Sequence, residues 1–581
     1  LVWVLVRAGG SQRRAVPGLP PAFRRGRSAA AAACVLVGVF FVGIGWFWEP
    51  VGERKGGRIL VDEYHSDWEN TDRPYDTEWY GHLSGYNYAV IYDYCSRFYD
   101  MGRIEEAIGD DTLSDCDVLV VKVPTERYAV EEIDRIERFV RDGGSLFLVG
   151  EHTTVFHTGT HLNDIAERFG FRFRYDCLFG IDDVFHQVLA PAAIPHPVRQ
   201  YMPAMDFAVS CSLAPGAAVG RQVIRATGLK NLPALYHASN FYPPAKDRAD
   251  MRYGAFVQLW AARPGRGRVL AFTDSTIYSN FSTFEPGKAE LMLGMLEWLN
   301  HQGGPDYGVS AAVTVFGLVL AVIGIVLLPW AWWVPVLAGG LCVWACTMAG
   351  VRAVHEAAMP VPEPIRPLKQ VMIARTVCDA RLSRSGFVQA EDDSFALFER
   401  WILRLGFFTR RHAGEKVFGG DAVVFLYPRK EVPEGFRERL AAYVKGGGHV
   451  LVLDSPGNGD STANQLLWPF EMKLAAPRSP VKGTLRPLPG WPAVPVSEAK
   501  TVEGGTPLVL LGDHTVAASK AIGEGSVTVV GFGHRFSDRK MGVIGDVQPD
   551  EKLRAVFDLE FALVRAMVEG RLPEDIARKT E

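Results

Sequence analysis

Residues 117–150 read DVLVVKVPTERYAVEEIDRIERFVRDGGSLFLVG, and residues 421–454 read DAVVFLYPRKEVPEGFRERLAAYVKGGGHVLVLD. The stretches align without a gap: Asp117 falls on Asp421, Pro124 on Pro428, and Gly143-Gly144 on Gly447-Gly448. Each opens on a continuous apolar run, 118–123 or 422–427, the pattern of a strand buried on both faces. Pro124 and Pro428 stop the strand, because proline cannot donate to a ladder. An amphipathic helix follows. Val130, Ile133, Ile136, Phe139 and Val140 share one face in the first copy; Phe436, Leu440, Tyr443 and Val444 do so in the second. The glycine pair closes the helix, whose last turn favours a left-handed residue. A second apolar run, 146–149 or 450–453, then begins. Strand, helix and strand at this length make a right-handed parallel crossover. Its repetition predicts two related α/β domains.

Around the first copy, domain one spans 58–301. Residues 59–61 form its first strand, ending in Asp62-Glu63-Tyr64-His65. The polar, aromatic loop SDWENTDRPYDTEWYGHLSGYNY leads to a helix over 88–99. After the repeat come EHTTVFHTGTH and a helix near 162–169. Residues 171–250, rich in proline and histidine, carry no periodicity that places strands. Residues 253–262 and 268–273 read as a hairpin around Pro264-Gly265, and Pro286 opens the last helix. Domain two spans 369–570, with a strand at 371–374 and a helix at 395–405. GEGSVTVVGF at 523–532 repeats GRGRVLAFTD at 265–274, and the last helix covers 551–568.

Between and before these domains lie three apolar runs, 28–48, 309–328 and 330–350, each about one bilayer long. Residues 1–27 form a basic tail with Arg7, Arg13, Arg14, Arg24, Arg25 and Arg27, which places the N-terminus in the cytoplasm. No small-residue cleavage site follows the first run, so an uncleaved anchor is the reading, with a cleaved signal peptide as its rival. A start at Leu1 is expected of a fragment or of a literally translated alternative start codon. The second and third runs make a hairpin, which puts both α/β domains on one side, outside the cytoplasm. PVPEPIRPL at 360–368 is a stiff linker. With a net charge of -4, bulk electrostatic binding of nucleic acid is excluded. The eight cysteines follow no zinc or disulfide spacing; a Cys177–Cys211 bridge is the one pairing weighed, against free buried thiols.

The strand-opening DEYH (62–65), DVLVVKVP, the DGGSLFLVGEHT that ends the helix, and TDSTIYSN (273–280) resemble the class I glutamine amidotransferase-like superfamily. They are most similar to its membrane-anchored, uncharacterised members found near ABC-transporter and gliding-motility components. The resemblance covers most of domain one and, more loosely, domain two. It implies two tandem flavodoxin-like, amidotransferase-like three-layer domains with parallel sheets, joined to three transmembrane helices. It also implies partners among membrane or ABC-transporter-like proteins in a bacterial inner membrane. In the catalytic relatives a cysteine sits on a sharp turn after the strand matching 146–149. Here Gly150-Glu151-His152 and Asp454-Ser455-Pro456 stand in that place. The activating histidine falls near Asp274-Ser275, where domain one has none; domain two has His534 but no cysteine beside it. Glutamine hydrolysis by a Cys–His pair is therefore not expected.

In a doubly wound sheet, ligands bind beyond the carboxyl ends of the strands. Those ends carry Asp62, Glu63, His65, Lys122, Glu151, His152, Asp274 and Ser275, which are expected to converge on one rim. His152, His157 and His161 are candidate metal ligands if 157 and 161 share a helical face. Thr153, Thr154, Thr158 and Gly159 speak against helix there, and a hydrogen-bonded polar rim is the plainer reading. Asp274 is expected to cap the next turn rather than serve Ser275 as a nucleophile's base. Pro456 removes the N–H that an oxyanion hole beside Ser455 needs. His186 and His196 are loop residues, and the aromatic cluster Trp68, Tyr75, Trp79, Tyr80, Tyr86 and Tyr88 packs over the sheet edge or lids the rim. No cofactor and no catalytic residue is assigned. The expected role is non-catalytic binding of a ligand or partner, with a metal-dependent envelope hydrolase as the alternative.

Overall fold

Val118–Lys122 and Ala422–Leu426, the apolar runs that open the two repeats, are buried along their whole length inside two separate sheets. A computed structural model describes residues 21–182, 187–191, 193–216, 219–233, 247–476, 482–542 and 548–569. Arg7, Arg13, Arg14 and His186 lie outside the described residues. The chain divides into two compact units. The larger takes in both sheets, from Gly52–Pro191, Tyr201–Gly303 and Val361–Glu581.

The first sheet has ten strands. β1 (Arg58–Asp62), β2 (Asp100–Ile104), β3 (Val118–Lys122), β4 (Ser145–Val149), β5 (Phe171–Phe173), β6 (Asp176–Gly180), β7 (Leu213–Pro215), β8 (Gly220–Pro233), β9 (Arg252–Ala262) and β10 (Arg268–Phe272) run in the order β2-β1-β3-β4-β10-β9-β7-β5. β8 joins the side of β9 and pairs with β6. The second has eight, β11 (Gln370–Ala374), β12 (Phe408–His412), β13 (Ala422–Leu426), β14 (His449–Leu453), β15 (Arg486–Pro487), β16 (Thr506–Leu511), β17 (His514–Ile522) and β18 (Gly525–Val530), in the order β12-β11-β13-β14-β18-β17-β16-β15. In each sheet the first five strands of the path are parallel, and the sixth returns antiparallel as a hairpin. The segment without readable periodicity, 171–250, supplies the antiparallel extension of the first sheet through β5 to β8.

The same local constraints recur at matching positions. Asp117 and Asp421 each accept the N–H that opens the sheet's first strand, from Arg58 at 3.0 Å and from Gln370 at 2.7 Å. Val123 and Tyr427 both adopt positive φ after the strand, and each donates its N–H across to the end of the next strand, to Val149 and Leu453. Asn163 clasps Phe173 with two hydrogen bonds, and Asn464 clasps Leu474 in the same way. The helices α1 (Ala89–Ser96), α2 (Val130–Asp142), α3 (Thr158–Ala166) and α4 (Lys288–Leu299) belong to the first sheet; α5 (Ala396–Leu403), α6 (Glu434–Lys445) and α7 (Glu551–Val568) belong to the second. Asn280 and Asp538 accept the second N–H of α1 and α5, from Val90 and Leu397. The two sheets thus share the order and direction of their first six strands together with these local contacts.

The closest backbone approach is also duplicated. A Cβ on Gly267 would lie 2.0 Å from the Val140 oxygen and 2.1 Å from that of Gly144; on Gly525 it would lie 2.3 Å from Val444 and 2.1 Å from Gly448. Helix and hairpin therefore meet only through glycine. Gly525→Ala is expected to destabilise the chain by about 1–3 kcal/mol through overpacking. Gly435→Ala, on the exposed face of α6, is expected to be neutral or stabilising. Denaturant midpoints of the two variants check this.

Two helix starts differ from the sequence reading. Helix α3 begins at Thr158, so Thr158, Gly159 and His161 are helical. Gly159 is used for contact: its added Cβ would stand 3.0 Å from Thr154 Oγ1. Helix α4 begins at Lys288 behind a left-handed Gly287, two residues past Pro286.

The modules pack on each other through α1 and the loops flanking β1 and β10. Tyr94 and Phe284 meet Phe408, and Tyr80 meets Trp401 and Phe557. Arg404 donates to the carbonyls of Asp76 and Trp79, both at 2.8 Å, and to Ser84 Oγ.

The smaller unit comprises the described parts of Leu1–Val51, Ala192–Gln200 and Gly304–Pro360. Three of its helical stretches, Gly26–Phe47, Tyr307–Leu327 and Trp330–Ala358, are long and apolar enough to cross a membrane. The first two cross antiparallel through glycines. Gly38 abuts Gly317 and Ala321, Gly45 abuts Ser310 and Thr314, and Gly324 abuts Ala31 and Val35. Small residues let apolar helices approach closely where dispersion is the main attraction. Beyond the first helix, Glu49 is buried; its N–H donates to His355 Nε2 at 2.9 Å, and Tyr307 donates to its carboxylate at 3.1 Å.

Candidate functional site

Successive side chains of a strand point to opposite faces, and the end of β1 divides its polar groups accordingly. Asp62 Oδ1 accepts the N–H groups of Tyr64 (3.0 Å) and His65 (3.3 Å). Its Oδ2 takes His65 Nδ1 at 2.8 Å and the Tyr128 hydroxyl. His65 Nε2 lies 3.4 Å from Glu132, which also accepts the N–H groups of Ala129 and Ile108 at the start of α2. Burial pushes the His65 imidazole down, but Asp62 and Glu132 outweigh it and raise the net value. This cluster ties β1 to the N-terminus of α2.

Glu63 takes the other face. It accepts Thr71 N–H (3.1 Å) and hydroxyl (2.6 Å), and its second oxygen lies 3.2 Å from Lys122 Nζ. Lys122, 1% exposed, also donates to the Trp68 carbonyl at 3.2 Å. A cavity of about 40 Å³ between Thr71, Tyr88 and Lys122 has room for little more than a water or two.

A third cluster stands at the ends of β4 and β10. Glu151 accepts four donors: His152 N–H (2.7 Å), Ser275 Oγ (2.7 Å), Thr276 N–H (3.1 Å) and Thr276 Oγ1 (2.8 Å). Beside it lies Glu69, fully buried and at positive φ, which accepts the Ser279 hydroxyl at 2.7 Å. Tyr88 donates to the Ser275 carbonyl at 2.6 Å. Burial, with repulsion from Glu151, pushes the Glu69 carboxyl up to about 7. Burial pushes Glu151 up as well, against its four donors. Asp274 accepts the Ala208 N–H at 2.8 Å; burial and Glu151 drive its carboxyl well up. Ser275 thus serves as a donor to Glu151.

The segment after Glu151 is strained. Thr153, Thr154, Phe156 and His157 all have φ between 50° and 64°, a region that costs residues with a Cβ about 1–2 kcal/mol each. His152 is buried with Nδ1 2.8 Å from Thr153 Oγ1, and burial pushes its imidazole down to about 3. The His157 and His161 ring centroids are 6.5 Å apart, with His157 in left-handed conformation just before α3 rather than on its face. Among the described residues no three His, Cys, Asp or Glu side chains are grouped to hold a metal ion.

The expected single rim is therefore three interior clusters: Asp62 with His65, Glu63 with Lys122, and Glu151 with Ser275, Asp274 and His152. Sequence reasoning missed Glu69, Tyr128, Glu132, Thr276 and Ser279. In the second module Ser455 is bonded to the Tyr427 hydroxyl at 2.5 Å, and Asp454 accepts Lys500 Nζ at 2.8 Å. His534 Nε2 meets Ser497, not Ser455. Cys177 and Cys211 are both buried free thiols.

A family model described as a domain of unknown function, DUF4350, matches residues 93–296. The match begins within α1 and ends within α4, so it holds Lys122, Glu151, His152, Asp274 and Ser275 but neither Asp62 nor Glu69. No curated protein matches the chain. Among solved structures, the mmIFT52 N-terminal domain is 12% identical at a TM-score of 0.30, over 42% of this chain and 96% of that one. A cytoplasmic protein of Salmonella typhimurium LT2, STM1381, is 10% identical at 0.26, over 42% and 98%. The exo-β-1,4-mannosidase Op5Man5 from Opitutaceae bacterium strain TAV5 is 13% identical at 0.23, over 33% and 35%.

Proposed function

We propose that this protein is a non-catalytic, membrane-anchored binding protein. Its two α/β modules are a tandem of flavodoxin-like, amidotransferase-like domains that have lost the reactive cysteine. Both stand outside the cytoplasm of a bacterial inner membrane, as an auxiliary part of a transport or envelope assembly. One observation carries the reading: most of the groups at the strand ends of the first module are consumed by internal partners, Asp274 Oδ1 being the exception among the described residues. Glu151 spends its oxygens on four protein donors, and Asp62, Glu63, His65 and Lys122 are engaged in the same way. A general base needs a free lone pair within about 3 Å of the proton it moves.

The test uses the full chain in mild detergent, assayed against glutamine, ester, glycoside and phosphoester substrates. The reading expects no turnover, and expects recovery of a membrane-protein partner in stoichiometric amount from native membranes. Turnover that disappears in His152→Ala, with melting temperature retained, overturns it. A second reading, an envelope hydrolase with Glu151 as base, draws on the upward shift of that carboxyl to about 7.

A further inference from the structure

Glu69 and Glu151 come from distant parts of the chain and are both buried against the turn 275–279, Glu151 through Ser275 and Glu69 through Ser279. Glu69, with none of its surface exposed, lies in the loop 66–88; Glu151, at 4% exposure, ends β4. Their surroundings are unequal. Glu151 accepts two N–H groups and two hydroxyls, an arrangement that favours its anion. Glu69 accepts Ser279 through Oε1; its Oε2 meets no donor in hydrogen-bond geometry among the described residues, the Ser275 and Tyr88 side chains being the polar groups near the carboxyl. An anionic oxygen without a donor is costly in such a place, whereas a protonated one is not.

Ser279, Ser275 and Tyr88 relieve Glu69 only in part, burial and Glu151 outweighing them. Asp274 faces Glu151 from the end of β10 and adds a third carboxyl. Tyr88 faces Glu69 from the end of its own loop, and Cys177 and Cys211 face Glu151; burial keeps all three protonated. His152 is held neutral by burial. The nearest lysines are taken: Lys288 lies 2.6 Å from Glu285 and Lys122 lies 3.2 Å from Glu63. Two like carboxylates without a cation cannot both ionise cheaply in a low-dielectric site.

We propose that Glu69 carries a proton while the loop 66–88 is closed, and that its loss releases that loop from the strand ends of the first module. No bond other than the O–H is broken; the proton goes to solvent as the loop opens. The loop carries Trp68, whose ring packs on Phe156 of the strained segment at 5.1 Å, so release also uncovers residues 152–157. Its far half, through Asp76, Trp79 and Ser84, holds Arg404 of the second module, so the same proton bears on the module contact. The inference stands whether or not the rim binds a partner.

The direction of the pH effect follows from linkage. In the closed loop Glu69 titrates at about 7, above its ordinary 4.5, so the closed form binds the extra proton. The closed form is fully favoured below 4.5, loses ground as pH rises toward 7, and levels off above it. One proton corresponds to about a tenfold change in opening per pH unit within that window.

Hydrogen–deuterium exchange of the full chain in detergent, corrected for the intrinsic pH dependence of exchange, reads this directly. Peptides from 66–71 should open about tenfold more per pH unit in that window, while peptides from β3 stay flat. Glu69→Gln should lower the slope, Glu151 and Asp274 supplying what remains. A flat wild-type profile, or an unchanged slope in Glu69→Gln, overturns the proposal. Should Glu69→Gln fail to fold, infrared titration of the wild type decides. A carboxylic acid C=O band must survive above the ordinary carboxylate range, vanish near 7 and remain in Glu151→Gln; its absence from the wild type, or its loss in Glu151→Gln, overturns the proposal.

Discussion

Arg404→Ala is expected to cost roughly 3–5 kcal/mol, from buried acceptors left without a charged donor and from lost stacking on three rings. The guanidinium is 3% exposed and lies between two modules. It sits 4.1 Å from the Tyr75 ring and 4.4 Å from those of Tyr80 and Trp401, and it donates to two carbonyls and a hydroxyl of the first module's loop. Its charge also opposes that of Glu560, a fully buried carboxyl on α7 that burial drives well up. Truncation would strand the carbonyls of Asp76 and Trp79 and the hydroxyl of Ser84. Arg404→Lys keeps a cation but loses the planar fork and the stacking, so it should recover less than half of the loss. Urea unfolding of the full chain in detergent, followed by tryptophan emission, measures both. A loss below about 1 kcal/mol would place Arg404 among ordinary surface contacts and remove it from the module contact.

The fold was legible where the chain repeats itself and where local pattern suffices. Buried runs such as 118–123, the face of α2, and the glycine pairs all report on sequence-local physics, and the parallel order of β1, β3 and β4 follows from crossover handedness. The antiparallel extension was not legible. Strands β5 and β7 are three residues each, and β8 changes register against β9 at three places. Such strands exist because of distant partners, not because of their own periodicity.

The candidate site was half legible for a related reason. Topology correctly identifies which residues stand at strand ends. It does not say which face each takes or what reaches it from elsewhere. Asp62 and Glu63 are neighbours in sequence and belong to different clusters, since alternation sends them apart. Glu69 is brought to Glu151 by a long irregular loop and by a left-handed backbone at Glu69 itself. Neither feature has a compositional signature. The i, i+4 spacing of His157 and His161 suggested a shared face, yet the helix starts between them.

Glu285 supplies the second large effect and the opposite pH sign to Glu69. It lies in the first module, 5% exposed, 2.6 Å from Lys288. It accepts the Gly386 N–H of the second module with both oxygens, and Arg400 stands 3.8 Å away. Burial pushes this carboxyl up, but Lys288, Arg400 and Arg411 outweigh it and hold it below its ordinary value. Glu285→Ala leaves Lys288 buried without its anion, so a loss of roughly 3–5 kcal/mol is expected at neutral pH. A depressed carboxyl contributes stability that is present above its unfolded value of 4.5 and is lost as pH falls through its lower folded value. Glu69 contributes in the reverse sense, over the window from 4.5 to about 7. Stability measured against pH should therefore fall on both sides of the region near 4.5. Glu285→Ala should make the acid limb shallower and leave the upper one, while Glu69→Gln should make the upper limb shallower, with Glu151, Asp274 and Glu560 keeping the rest, and leave the acid one. If either substitution moved the other's limb instead, the two carboxyls would be coupled through the module contact and could not be treated as separate devices.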